Sequence, residues 1–194
     1  MADDSEFARL VSLACHDLRT PLATVHGFAT TLERGGDLEP PADRYVEMIN
    51  AASAQLAELL DELSLVARIE SGRYDPTLHE ADTLELAEAA AARLGEDRVR
   101  VTGSGAKLET DPVAVERGLA ALFQSALRHG GLDSVEVEVD GAEIRLSRVT
   151  PASAPVVLGE VLRDLGAAVA VRLVTCLGGS VSVDGETLKI ELVY

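Results

Sequence analysis

Residues 7–32 read FARLVSLACHDLRTPLATVHGFATTL, with apolar side chains at Phe7, Val11, Ala14, Leu18, Leu22, Val25, Ala29 and Leu32. The steps alternate between four and three, the heptad spacing of a helix with one apolar stripe. Gly35-Gly36 interrupts the pattern and Pro40-Pro41 restarts the chain. Tyr45, Ile49, Ala52, Leu56, Leu59, Leu63 and Val66 then repeat the rhythm as far as Ser71-Gly72. Two helices of similar length joined by a short Gly/Pro loop predict an antiparallel hairpin. A lone hairpin leaves part of its apolar surface wet. Either a second copy completes a four-helix bundle, or the rest of this chain covers the stripe.

Beyond the hairpin the helical rhythm stops. Arg73 to Glu80, with Pro76, predicts a linker, and an apolar helix follows from Thr83 to Leu94. Short strands are expected at Arg98–Thr102 and Ala106–Glu109, then a helix over Val113–Arg128 with Pro112 at its start and Gly130-Gly131 at its end. Val135–Val139 and Ile144–Leu146 alternate around Asp140-Gly141 as a β-hairpin. A helix over Val157–Leu177 and a last hairpin, Ser180–Val183 with Leu188–Val193 around Asp184-Gly185, complete the reading. The expected fold class is α+β, with a helical hairpin over residues 1–74 and a sandwich of helices on one face of a mixed, largely antiparallel sheet over residues 75–194.

Apolar residues make up 47% of the chain and aromatic residues only 3%, so the core is built from Leu, Val, Ala and Ile. A formal net charge of −16 repels nucleic-acid phosphates and anionic membranes. The acidic start, Met1 to Glu6, lacks the basic-then-apolar order of a signal peptide, and no apolar run is long enough to span a bilayer. A soluble, cytoplasmic protein is expected. Cys15 and Cys176 are far apart and signal neither a disulfide framework nor a zinc site.

The chemistry concentrates in His16-Asp17-Leu18-Arg19-Thr20-Pro21-Leu22. His16 lies two residues from the stripe positions Ala14 and Leu18, which turns it toward solvent. A neutral imidazole there has a lone pair able to attack a phosphoryl group. Asp17 can hold the proton on the other ring nitrogen. Thr20, one turn further on, can hydrogen-bond a phosphoryl oxygen or position a water. Pro21 removes a backbone donor and loosens the helix beside the histidine.

This string resembles the H-box of sensor histidine kinases, and the second-helix ending Leu65-Val66-Ala67-Arg68-Ile69-Glu70-Ser71-Gly72 is similar to that of the family's dimerisation and phosphotransfer domain. The resemblance extends into the family's ATP-binding domain. Thr110-Asp111-Pro112 looks like the entry to the nucleotide-binding helix, and Leu122 to Gly130 resembles the N-box. Ser125 then stands where the resemblance implies the magnesium-coordinating Asn, with Gln124 before it. Ile144 to Pro151 replaces the Asp-x-Gly-x-Gly box, Ala152 to Pro155 replaces the glycine-rich lid, and only Leu165-Gly166 remains of the last box.

Those losses imply that ATP binding is gone, since positioning and charge neutralisation supply most of phosphoryl-transfer catalysis. The expectation is a homodimeric histidine phosphotransferase, similar to those with a degenerate ATP-binding fold. Its His16 would exchange phosphate with receiver domains of response regulators and with a hybrid kinase. Asp17 would orient the histidine and Thr20 would shape the phosphate site. The chain would need no cofactor or metal of its own, the receiver bringing Mg²⁺. A histidine kinase with a divergent ATP site, a silent dimeric adaptor and a receiver phosphatase acting through Thr20 remain as alternatives. His129 is read as a helix C-terminal cap; His26 and His79 carry no expected role.

Overall fold

The computed structural model describes residues 2–36, 38–95 and 97–193, excluding the side chains of residues 2–7, 9 and 10. The first stripe position, Phe7, and the side chains of the acidic start therefore lie outside the described set. Between Tyr74 and Asp75 the chain divides into two compact units.

The first unit is the hairpin of α1 (Ala2–Gly35) and α2 (Ala42–Glu70). α1 runs through Pro21, whose missing N–H leaves the Asp17 carbonyl without its usual helical donor. α2 ends where Gly72 takes φ +64°, a left-handed conformation that suits glycine. There the N–H of Arg73 donates to the Arg68 carbonyl at 2.8 Å and that of Gly72 to Ile69 at 3.0 Å. The Arg68 guanidinium lies 5.8 Å from the Tyr74 ring centre.

Within the hairpin the large aliphatic stripe is not what is buried. Leu18, Val25, Leu32, Tyr45, Ile49, Leu56, Leu59 and Leu63 are exposed. The buried seam is made of Ala8, Cys15 and Ala29 on α1, with Val46, Ser53 and Ala67 on α2. These also fall on heptad spacing, and Ala29 alone among them belongs to the predicted stripe. Small side chains let two helices lie close together, and the larger ones are thereby left on the outer faces.

The second unit starts with β1 (His79–Asp82), which pairs antiparallel with β3 (Lys107–Thr110). The predicted linker therefore ends in a strand. Asp82 caps α3 (Thr83–Ala92), its carboxylate accepting from the Leu84 N–H at 2.8 Å. The buried Thr83 hydroxyl donates to the Gly141 carbonyl and accepts from the Ala106 N–H at 2.9 Å, tying three segments together.

β2 (Val99–Gly105), β4 (Val135–Gly141), β5 (Glu143–Leu146), β7 (Thr187–Glu191) and β6 (Ser180–Asp184) form one sheet in that order. β2 and β4 are parallel and the remaining pairs antiparallel. Alternation sends Val135, Val137, Val139, Ile144, Leu146, Leu188 and Ile190 to one face. That face shares a core with α3, α4 (Pro112–Gly130) and α6 (Leu165–Cys176). Asp111 caps α4 and Pro112 sits in its first turn, where a missing N–H is harmless.

The helix predicted over Val157–Leu177 is two pieces. α5 spans only Ala154–Val157, irregular backbone follows, and α6 begins at Leu165. Gly159 takes φ +68°, and a side chain there would sit 3.0 Å from the Ala168 Cα. Asp164 starts the new helix by accepting from the Ala167 N–H at 3.2 Å.

Candidate functional site

On α1, Cys15 faces the seam and His16 faces outward, with 78% of its side chain exposed. Its Nδ1 lies 3.2 Å from Asp17 Oδ1, so the structure brings these two predicted residues together. When Nδ1 carries the proton, the carboxylate accepts it and the Nε2 lone pair is left for chemistry. Thr20 is exposed one turn on, its carbonyl accepting from the Thr24 hydroxyl at 3.1 Å. Arg19 reaches across to α2, where a guanidinium nitrogen donates to Asp61 Oδ1 at 2.8 Å. Both groups are half-exposed, so the pair contributes only about 0.2–1 kcal/mol. It nevertheless pins α2 to the turn of α1 that presents the histidine. Burial pushes the Cys15 thiol above its ordinary pKa, against the opposing pull of Arg19.

Other singled-out residues stand apart. His26 is exposed, and His79 pairs through its backbone with Thr110. Asn50 is the hydrogen-bond partner of both Thr30 and Glu33. His129, expected to cap α4, lies in its last turn with Nε2 3.1 Å from Asp164 Oδ2, and the C-cap is Gly131. Asp164 was not singled out in the sequence because the Val/Leu run before it reads as continuous helix. Its signal, an Asp just ahead of Leu165-Gly166-Ala167, is an ordinary N-cap pattern.

The His Kinase A (phospho-acceptor) domain pattern matches residues 8–72, which contain His16. Over 160 residues the chain is 29% identical to an uncharacterized sensor-like histidine kinase of Rhizobium meliloti, covering 75% of this chain and 30% of that protein. The sensor protein CreC of Escherichia coli is 28% identical over 140 residues, covering 68% and 29%. The chain superposes on full-length ShkA in complex with AMPPNP with a TM-score of 0.70 at 20% identity, covering 94% of this chain and 44% of that one. Residues 8–72 form a His Kinase A phospho-acceptor domain, and the chain has the fold of a histidine kinase core. For the Acinetobacter baumannii histidine kinase AdeS the TM-score is 0.58 at 19% identity, covering 92% and 98%. The hairpin followed by a kinase-type α/β sandwich is the expected fold. The chain spans under a third of the length of the first curated relatives it matches.

The expected histidine phosphotransferase is corrected by these relatives, which are named as sensor histidine kinases and sensor proteins. The physical reason is that an altered nucleotide motif reports on one binding site and is silent about the overall reaction a histidine serves. Among the described residues no helix is long and apolar enough to cross a membrane.

At the positions that the resemblance aligns with its nucleotide site, the second unit presents buried side chains. Ser125, at the metal-binding position of the resemblance, is 0% exposed, and its hydroxyl lacks a hydrogen-bond partner among the described residues. A cation could not reach that oxygen without the core opening. Where the adenine-reading box would stand, Ile144, Leu146 and Val149 are buried, and the Val149 N–H donates to the Glu186 carbonyl at 2.8 Å. In place of the lid, Ser153 is buried, and α5, which starts at Ala154, packs against α4 and α6. A concavity of about 420 Å³ lies instead on the outer sheet face, lined by Arg100, Glu136, Glu138 and Arg145 among others. Its two arginines face two glutamates, so it does not select an anion.

Proposed function

We propose that the chain is the phosphoacceptor core of a sensor histidine kinase, with His16 as the residue phosphorylated. The observation that carries this is the outward-facing imidazole, backed by Asp17 at 3.2 Å, within residues that match the phospho-acceptor domain. In the tautomer that donates from Nδ1 to Asp17, the Nε2 lone pair is left free for the phosphoryl group. The Nε2 lone pair forms the P–N bond as the P–O bond between the terminal phosphoryl group of a nucleoside triphosphate and its diphosphate breaks, the diphosphate leaving with the electron pair, and the ring then releases its Nδ1 proton to Asp17 or to water. Thr20, one turn along, supplies a hydroxyl to a phosphoryl oxygen. A response-regulator aspartate is the onward acceptor, and so much exposed helix around His16 leaves room for such a domain to dock.

The exposed stripe supports pairing of two copies. Leu18, Val25, Leu32, Ile49, Leu56, Leu59 and Leu63 form a heptad series on both helices, the pattern that a four-helix bundle buries.

The test is to isolate the protein from its own cells under alkaline, cold conditions and separate it on a phosphate-affinity gel. Wild type should give a retarded band that mild acid and heat abolish, and His16→Gln should give none. A retarded, acid-labile band that survives His16→Gln would overturn the assignment.

A further inference from the structure

We infer, resting on the proposed role of His16, that Arg19 is the cation that meets a phosphoryl group on this histidine, and that Asp61 of α2 holds it nearby until that group arrives. Arg19 lies three residues beyond His16 on α1, close to one full turn, so the two side chains are neighbours on the helix surface. Its guanidinium has one holder: an Nη donates to Asp61 Oδ1 at 2.8 Å, with no second partner among the described residues. Its charge also reaches back to Cys15, the residue before His16, where it opposes the upward push of burial on the thiol.

The charge balance around His16 calls for such a cation. A phosphoryl group adds about two negative charges. Here they fall on a ring whose other nitrogen lies 3.2 Å from the Asp17 carboxylate, in a chain of formal net charge −16. The other arginine of α1 with a described side chain, Arg34, stands about 27 Å away along the axis. Asp61 is the weaker holder of Arg19, because an ion pair half-exposed on both sides contributes little. A phosphoryl group offers the guanidinium fork two parallel charge-assisted bonds and more charge than a carboxylate. Its arrival therefore draws Arg19 off Asp61.

The exchange also alters the hairpin. Thr30 and Glu33 each hydrogen-bond Asn50 and so tie α1 to α2 near the loop. Release of Arg19 removes a tie at the level of His16 and leaves those in place, so α2 loosens around Asp61 when His16 is phosphorylated.

The experiment uses the full chain carrying His26→Gln, so that His16 is the one histidine of the hairpin, treated with potassium phosphoramidate. The P–N bond of that reagent breaks as ammonia leaves with the electron pair, its phosphoryl group passes to the imidazole, and the ring gives up its proton to water. Phosphorus NMR then follows the His16 signal through a pH titration. That signal is the one missing from His16→Gln, and the exposed His79 of the second unit is the internal reference. A cation beside the phosphoryl group disfavours its protonation, so the His16 midpoint should lie at least about half a pH unit lower with Arg19 than in Arg19→Gln. Arg19→Lys should fall between the two, Asp61→Asn, which frees Arg19, should lower the midpoint further, and the His79 midpoint should not move. Amide exchange in residues 58–64 should quicken at least about twofold on phosphorylation. An Arg19→Gln midpoint within about 0.2 unit of the parent would overturn the inference, as would an Asp61→Asn midpoint at or above it, or amide exchange around Asp61 indifferent to phosphorylation. Should Arg19→Gln fail to fold, by its circular dichroism, the Asp61→Asn midpoint decides on its own. The chemical donor labels His16 whether or not the cell does. Failure of the proposed role of His16 would therefore appear separately, as a phosphate-affinity band insensitive to His16→Gln.

Discussion

Replacing Leu56 by Ala tests whether the outer stripe of the hairpin pairs two chains. Leu56 is 52% exposed in the single chain. Full burial of a leucine side chain contributes about 1.5–3 kcal/mol, so covering the outstanding half contributes about 1 kcal/mol in each copy. A symmetric dimer loses that contribution twice, about 2 kcal/mol, which weakens the dimer by roughly 30-fold. Sedimentation equilibrium over a wide concentration range reads the dissociation constant directly. Leu162→Ala is the control, because Leu162 is 74% exposed and belongs to the second unit rather than to the stripe. Equal shifts for both substitutions, or a Leu56→Ala dissociation constant within twofold of wild type, would refute the reasoning.

Phe123→Ala should destabilise the second unit by about 3–5 kcal/mol, since Phe123 is fully buried in its core, and urea denaturation followed by circular dichroism measures the change. Pro21→Ala should stabilise α1 by up to about 3 kcal/mol by restoring an N–H donor to the Asp17 carbonyl, read as slower amide exchange in residues 17–24. The exposed Cys176 should react readily with a maleimide at neutral pH, whereas the buried Cys15, its thiol pushed up by burial, should react only as the hairpin opens; mass spectrometry of the labelled peptides separates the two.

The hairpin was legible because heptad spacing survives in any register and Gly35-Gly36 and Pro40-Pro41 punctuate it. Which face is buried was not legible, because Ala8, Cys15, Ser53 and Ala67 carry too little hydropathy to outweigh the leucines beside them. In the second unit, alternation of Val135, Val137 and Val139 against glutamates gave the inner strand β4 plainly. β1 was missed because His79-Glu80-Ala81-Asp82 is short and mostly polar, and only its pairing with β3 makes it a strand. The helix over Val157–Leu177 was overextended because aliphatic residues on both sides of Gly159 mask the break.

His16 and Asp17 could be found because their relation is local, one residue along one helix. The contact of His129 with Asp164 spans 35 positions and depends on how α4 and α6 pack, which spacing alone does not encode.

The seam of small residues in the hairpin ties folding to abundance. Alanine, serine and cysteine bury few methylene groups, so the contact of α1 with α2 supplies little of the free energy needed to order 63 helical residues. The remainder has to come from whatever covers the outer stripe. If that is a second copy, mass action makes hairpin stability rise with protein concentration, while the second unit, with its own core, melts at a temperature independent of it. The helix that displays His16 would then be well ordered only in cells that make enough of the protein, so expression level itself would gate the signalling step.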